Sequence, residues 1–520
     1  MSFRRLTGLL GALLVLAAVG LPASAAARLG FTRPLFVDGG LAGGEPLVQA
    51  DLRHHTLVYT SHEGTTHLYR AGLVNPLTFV ANYRNQVNIW ISRDNGRTWK
   101  RDDFSGTAFS TPPQQNQGFS DPDLTQDEGG RIYNTGIDLA NDALFSSKDG
   151  GVNWDRGTIQ CHDGDRPWLA GGRKDQVFMA TDVTEGTLSH RIFESTDGGS
   201  TCSANGIPDA GSTSDGGNYS GFGKLYYDHH KHQLIEPVVY SGSDGVVNGV
   251  GVGTWRRGQP QFHPTRAART SVFAHWPALA LDSKSTVYLV WDTSPRKRGT
   301  AGGCDGAETP TPNKIELAIS KNFGRTFSRP ITIASPRNAR ALWPWVVAGS
   351  AGRASVVWYQ SDKLADLDCQ PAKIRIFDAN ISGAGTRHMR ISRADVAGRF
   401  VHDNGMCQGG TTCVATGQDR RLGDFFTNAV DPRGCVLVAS GDTTRPDPLT
   451  GAPRPISLPI FMRQNNGTGL YGRECGKPRP KPRCDDPVDH DGDNDLHGRR
   501  PPRHHGRLCT GRDRDDHTGG

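Results

Sequence analysis

Hydrophobic residues along this chain come in short bursts. Val177-Phe178-Met179 and Val287-Tyr288-Leu289-Val290-Trp291 are examples, bounded by Gly, Asn, Asp and Ser. Such runs are the length of strands, and their flanks are turn formers. Little of the chain repeats its apolar positions at helical spacing over a long stretch. The pattern predicts an all-β protein.

One early run differs. Arg4 and Arg5 precede an apolar stretch from Leu6 to Leu21, and Ala23-Ser24-Ala25 follows. A basic start, a short apolar core and small residues form a secretory signal. Residues 1–25 are expected to be removed near Ala25, so the protein is expected outside the cell. No later segment is apolar enough to span a bilayer.

A short motif recurs: Ser-x-Asp-x-Gly-x-Thr-Trp. Its complete copy holds Ser92, Asp94, Gly96, Thr98 and Trp99. A second holds Ser147, Asp149, Gly151 and Trp154, with Asn153 in the Thr place. A third holds Ser195, Asp197, Gly199 and Thr201, with Cys202 in the aromatic place. A fourth holds Ser320, Asn322, Gly324, Thr326 and Phe327, and a remnant survives at Thr254-Trp255. The physics is that of a hairpin turn. The acidic or amide side chain accepts turn N–H groups, glycine supplies a positive φ, and the aromatic ring tucks beside the turn.

A second unit recurs upstream of these turns: a short run, a turn, then a β-rich strand. It is seen at Asp121–Tyr133, from Arg166, and at Trp276–Trp291, with further starts near Glu45, Gly221, Trp343 and Gly423. Repeats at this spacing suit the four-stranded blades of a β-propeller. Seven blades are favoured; six is the alternative if one unit is split to close the ring. The expected layout is a lead-in at 26–44, the propeller at 45–472 and a tail at 473–520. The tail is rich in Pro, Asp, His and Arg, and poor in apolar residues, so disorder is expected there. Its Asp489–Asp495 alternation fails as an EF-hand loop, because position 12 is Arg500. Weak Ca²⁺ binding there, or Zn²⁺ or Ni²⁺ binding through its histidines, stays open.

Charge changes the picture little. The chain has 59 Lys+Arg against 53 Asp+Glu, a net +6, with no basic stripe. Nucleic acid is therefore not an expected partner. The ten cysteines all follow the signal segment, which suits disulfides. Pairing neighbours gives Cys161–Cys202, Cys304–Cys369, Cys407–Cys413, Cys435–Cys475 and Cys484–Cys509. No Cys-x-x-Cys occurs, which argues against a structural zinc site of that kind.

The Ser-x-Asp-x-Gly-x-Thr-Trp copies resemble the Asp boxes (BNR repeats) of the sialidase-like β-propeller superfamily. Gly164-Asp165-Arg166-Pro167-Trp168 and Leu422-Gly423-Asp424-Phe425-Phe426 also resemble segments of secreted bacterial members. The resemblance spans roughly residues 45–470. It implies arginines for a sugar carboxylate, a tyrosine nucleophile paired with glutamate, and an aspartate acid/base. Here Tyr69-Arg70-Ala71-Gly72 is nearest to the family's first arginine motif but lacks its proline. Asn218-Tyr219-Ser220 followed by Glu236 matches the nucleophile pair in type, though it lies mid-chain where the family places it late.

A propeller's working face is lined by loops that lead into its innermost strands. The unit starts would bring Asp121, Asp123, Asp165, Arg166, His275, Arg421 and Asp424 there. Paired carboxylates among them could hydrolyse a saccharide, and the Asp/His set could hold a hard cation such as Ca²⁺. No cofactor is required by this reading, and the metal is unknown. The competing account is that these groups satisfy backbone at strand ends. Trp168, Trp276, Trp343 and Trp345 could stack on sugars, although core packing is the commoner role of such rings. The expectation is a monomer acting on extracellular glycan or cell-wall polymer. It would be an exo-glycosidase of sialidase type or, alternatively, a non-catalytic propeller that binds glycan, cell wall or protein.

Overall fold

The computed structural model describes residues 28–51, 53–62, 64, 67–71, 87–102, 120–137, 142–155, 158, 161, 164–183, 189–211, 218–243, 246–272, 277–293, 312–410 and 412–476. The chain divides into units at Met1–Gly476 and Lys477–Gly520, and the second lies wholly outside the described residues. Among the described residues the strands form seven antiparallel sheets, and the α-helix is a single turn at Thr412–Ala415. This is a seven-bladed β-propeller.

The innermost strands, in blade order, are Gly44–Asp51, Ser120–Gln126, Asp165–Gly171, Asn218–Phe222, Ala278–Leu281, Ala341–Ala348 and Thr427–Val430. The predicted unit starts fall in these strands or within a few residues of them. Later strands of each blade run outward as a meander. In the first blade, Gly44–Asp51 pairs with Thr56–His62, then Val87–Ser92, then Lys100–Arg101. The meander is local because each hairpin joins strands adjacent in sequence.

The seventh blade closes the ring. Its third strand, Leu458–Asn466, takes Gly30–Phe31 and Leu35–Phe36 as outer partners, with Gly30 opposite Asn466 and Leu35 opposite Phe461. Part of the expected lead-in therefore works as strand. Pairing the two ends of the propeller leaves no gap between first and last blades.

The recurring Ser/Asp/Gly turns each begin on the last residue of a third strand. Gly96 N–H donates to Ser92 Oγ at 2.8 Å, and Arg97 and Thr98 N–H donate to Asp94 Oδ1 at 3.0 and 2.9 Å. Burial opposes ionisation of Asp94, but the hydroxyls of Thr98 and Ser92 and the Thr98 and Arg97 N–H groups together outweigh it and hold Asp94 at about 2. The same bonds recur at Ser147/Asp149, Ser195/Asp197 and Ser320/Asn322. Gly96, Gly151, Gly199 and Gly324 have φ of +83°, +86°, +92° and +79°. Each also faces the preceding blade: a Cβ on Gly96 would lie 2.1 Å from Phe461, and one on Gly151 2.7 Å from Val58. Glycine is needed there both to turn the chain and to let blades stack.

Three disulfides join Cys161–Cys202, Cys407–Cys413 and Cys435–Cys475. Cys369 is disulfide-bonded too, while Cys304, Cys484 and Cys509 lie outside the described residues. Among the described residues no helix is long and apolar enough to cross a membrane.

Candidate functional site

Four innermost strands share one irregularity. Each carries a β-bulge, between Gly44 and Leu47, Ser120 and Asp123, Asp165 and Trp168, and Leu342 and Trp345. Inside each bulge a non-glycine residue takes positive φ: Glu45 (+48°), Asp121 (+50°), Arg166 (+60°) and Trp343 (+52°). A proline follows every one of them. The left-handed conformation costs of order 1–3 kcal/mol per residue, and bulges of this sort re-aim side chains. Here they direct three charged groups into one cluster at the end of the propeller axis.

Glu45 is fully buried at its centre. Its Oε1 accepts the Asp424 N–H at 3.0 Å, and its Oε2 accepts the Asp121 N–H at 3.3 Å. His67 Nε2 is 3.1 Å from Oε1, and His62 Nε2 is 3.2 Å from Oε2. Arg420 bridges His67 Nε2 at 2.6 Å and Asp424 Oδ2 at 2.5 Å. Burial, His62 and the Arg420 charge push His67 down to about 3, so it is neutral at pH 7.

On the neighbouring side, Arg166 Nη1 lies 3.4 Å from Asp165 Oδ2 and 3.3 Å from Asp182 Oδ2. Asp182 Oδ1 meets His190 Nδ1 at 2.6 Å, and His190 Nε2 meets Glu236 Oε1 at 2.8 Å. The His190 ring is stacked on Phe222, centroids 3.9 Å apart. Burial would lower this imidazole, but Glu236 and Asp182 together raise it to about 10. Both ring nitrogens therefore donate, and His190 is an imidazolium.

Two of the carboxylic acids around Arg166 are driven in opposite directions. Burial, then the charges of Glu45 and Asp165, push Asp121 well above the usual carboxyl range. Burial also opposes ionisation of Asp182, but His190 and Arg166 outweigh it and hold Asp182 below that range. Deeper along the axis, Trp168, Trp345 and Phe425 meet in a triangle, with centroids 5.2–5.9 Å apart. They come from the third and sixth blades and the approach to the seventh, and all three are buried, so they are core. Trp343 is also buried, against Tyr359.

Of the residues expected at the mouth, Asp121, Asp165, Arg166 and Asp424 come together, and Glu236 joins through His190. Tyr219 is half-buried and packs on Tyr240 at 5.0 Å and Phe222 at 6.2 Å. Asp123 is instead fully buried between blades, where it accepts the Leu169 N–H at 2.7 Å and pairs with Lys224. Arg421 is held by Asp419 at 2.5 Å and lies over the Tyr69 ring; Arg70 is exposed. His275 and Trp276 lie outside the described residues. Sequence reasoning missed Glu45 as chemistry, along with His62, His67, Asp182, His190 and Arg420. One signal was present: Glu45-Pro46 stands in the same register as Asp121-Pro122 and Arg166-Pro167.

No protein-family model matches this chain, and no curated protein matches it. Among solved structures it is similar to a protein of unknown function from Dyadobacter fermentans, at 12% identity over 84% of this chain and 98% of that one, TM-score 0.42. It is similar to the α-L-arabinofuranosidase Arb93A of Fusarium graminearum, at 12% identity over 84% and 97%, TM-score 0.36. It is also similar to the Hadza microbial sialidase Hz136, at 11% identity over 61% and 75%, TM-score 0.34. Likeness at this level assigns no chemistry, which must come from the site itself.

Proposed function

We propose that this mouth is the active site of a secreted, carbohydrate-processing propeller, an exo-acting glycoside hydrolase that works as a monomer on extracellular glycan. One observation carries the reading: Asp121 and Asp182 flank one guanidinium, with their carboxyl groups driven apart in acidity. Separation of that kind is how paired carboxyl groups divide acid and base roles. Asp121 would protonate the leaving oxygen. Asp182 or Asp165 would serve as the ionised partner, with Arg166 orienting them.

The sialidase form of this reading is the narrower one. Arg166 is bonded to Asp165 and Asp182, Arg420 to Asp424, and Arg421 to Asp419. Arginines engaged this way favour a neutral terminal sugar over a sugar carboxylate. Glu236, the expected partner of Tyr219, is engaged by His190.

The test is hydrolysis of a panel of fluorogenic glycosides, sialoside included, with and without Ca²⁺. Release should fall at least about a hundredfold in Asp121→Asn, as loss of a general acid predicts. It should also fade at high pH, as Asp121 loses its proton. Release unaffected by that change would overturn the assignment. Absence of release together with glycan-array binding would favour the second reading, a non-catalytic binding mouth.

A further inference from the structure

The Glu45 cluster has a geometry that glycoside hydrolysis does not call on. The nearest carboxylate–imidazole contacts are 3.1 Å, His67 Nε2 to Glu45 Oε1, and 3.2 Å, His62 Nε2 to Glu45 Oε2. One donor atom from each of the three residues can be chosen so that all lie within 4.8 Å of one another. Four-coordinate Zn²⁺ with bonds of about 2.0–2.1 Å separates its ligand atoms by roughly 3.3 Å. The contacts match that spacing. Two imidazoles with one carboxylate are also the donor set of zinc sites that keep a fourth position open.

A second observation points the same way. His62 is fully buried, and its Nε2 lies 3.2 Å from Glu45 Oε2 without well-formed hydrogen-bond geometry. A buried nitrogen so placed carries a cost that a ligand would remove. The surroundings give these groups room. A Cβ on Gly44 would sit 3.1 Å from His62 Nε2, and one on Gly423 would strike Glu45 Cγ at 2.3 Å. The Asp424 and Asp121 N–H groups fix the carboxylate from outside, as outer partners of metal ligands do.

We propose that Glu45, His62 and His67 form a binding site for a divalent transition-metal ion of the Zn²⁺ class at the propeller mouth. The inference does not depend on the glycan reading. Two local rearrangements accompany binding. His62 Nδ1 accepts the Gly64 N–H at 3.0 Å, so ligation through Nε2 moves the ring proton to Nδ1 and gives up that bond. Arg420 Nη1 lies 2.6 Å from His67 Nε2, so guanidinium and ion compete for this nitrogen. Arg420 then keeps its pair with Asp424.

The experiment uses the full chain after treatment with a chelator, and Zn²⁺ alone as ligand. Affinity and stoichiometry come from competition with a chromophoric chelator, and Co²⁺ substitution reports geometry. Wild type should bind one equivalent more than His62→Gln/His67→Gln. Both proteins keep the tail histidines His490, His497, His504, His505 and His517, so these cancel in the comparison. Affinity at the site should fall more than the roughly 10–100-fold that outer-partner changes cost. Co²⁺ in wild type should give the intense visible band of four-coordination. Arg420→Gln should bind Zn²⁺ several-fold more tightly, a gain that misfolding cannot produce. Equal stoichiometry in wild type and double variant, no four-coordinate Co²⁺ band in wild type, or no gain in Arg420→Gln would each overturn the site.

Discussion

His190 makes a sharp prediction because both its nitrogens face acids. Its imidazolium sits between Asp182 and Glu236, is almost fully buried, and lies flat on Phe222. Its folded-state value is about 10 against an ordinary 6.5. A group raised on folding contributes stability that is fully present below its unfolded value and is lost as pH rises through the folded one. At roughly 1.4 kcal/mol per pH unit, the contribution lost between pH 6.5 and 10 is about 4–5 kcal/mol. His190→Gln removes the cation and leaves Glu236 buried without it, which should cost about 3–5 kcal/mol near pH 7. Urea unfolding with disulfides intact, followed by tryptophan fluorescence from pH 6 to 10.5, measures both. Wild type should lose stability steeply across the window, while the variant should start lower and change less. Parallel curves for the two proteins would refute the buried-imidazolium assignment.

Two further outcomes test the frame around the site. Gly96→Ala forces a side chain into φ +83° and against Phe461 of the seventh blade, so it should lower stability by about 2–4 kcal/mol in thermal unfolding; a change below about 0.5 kcal/mol would contradict the stacking role. Replacing both Cys435 and Cys475 by Ser opens a link spanning 40 residues of the closing blade, an expected loss of about 4 kcal/mol by chain entropy. Differential scanning calorimetry reads that loss, and an unchanged melting temperature would show the link to be dispensable.

Much of the architecture is legible in the residues themselves. The Ser92–Trp99 turn and its copies encode their own geometry, because an acceptor side chain, its N–H donors and a positive-φ glycine all lie within a few residues. The unit starts near Glu45, Asp121, Arg166, Gly221, Trp276, Trp343 and Gly423 give the seven-blade option for the same reason: blades are local meanders. Three neighbouring cysteine pairs also meet as spacing suggests.

The chemistry required the closed ring. Arg420 and Arg421 are adjacent in sequence, yet Arg420 reaches Asp424 and His67 while Arg421 turns to Asp419. Asp121 and Asp123 differ by two positions, and one meets the mouth while the other is buried against Lys224. The bulge between Ser120 and Asp123 breaks the regular alternation of the strand, so counting by twos cannot say where either side chain goes. His62, His190 and Glu236 sit on second strands or beyond, and His190 is joined to Asp182 of its own blade and to Glu236 of the next, 46 residues on. Local sequence determined the turns, the blades and their number of starts. Which charges converge was decided only when seven strands were brought around one axis, because electrostatic contact depends on distance in space rather than along the chain.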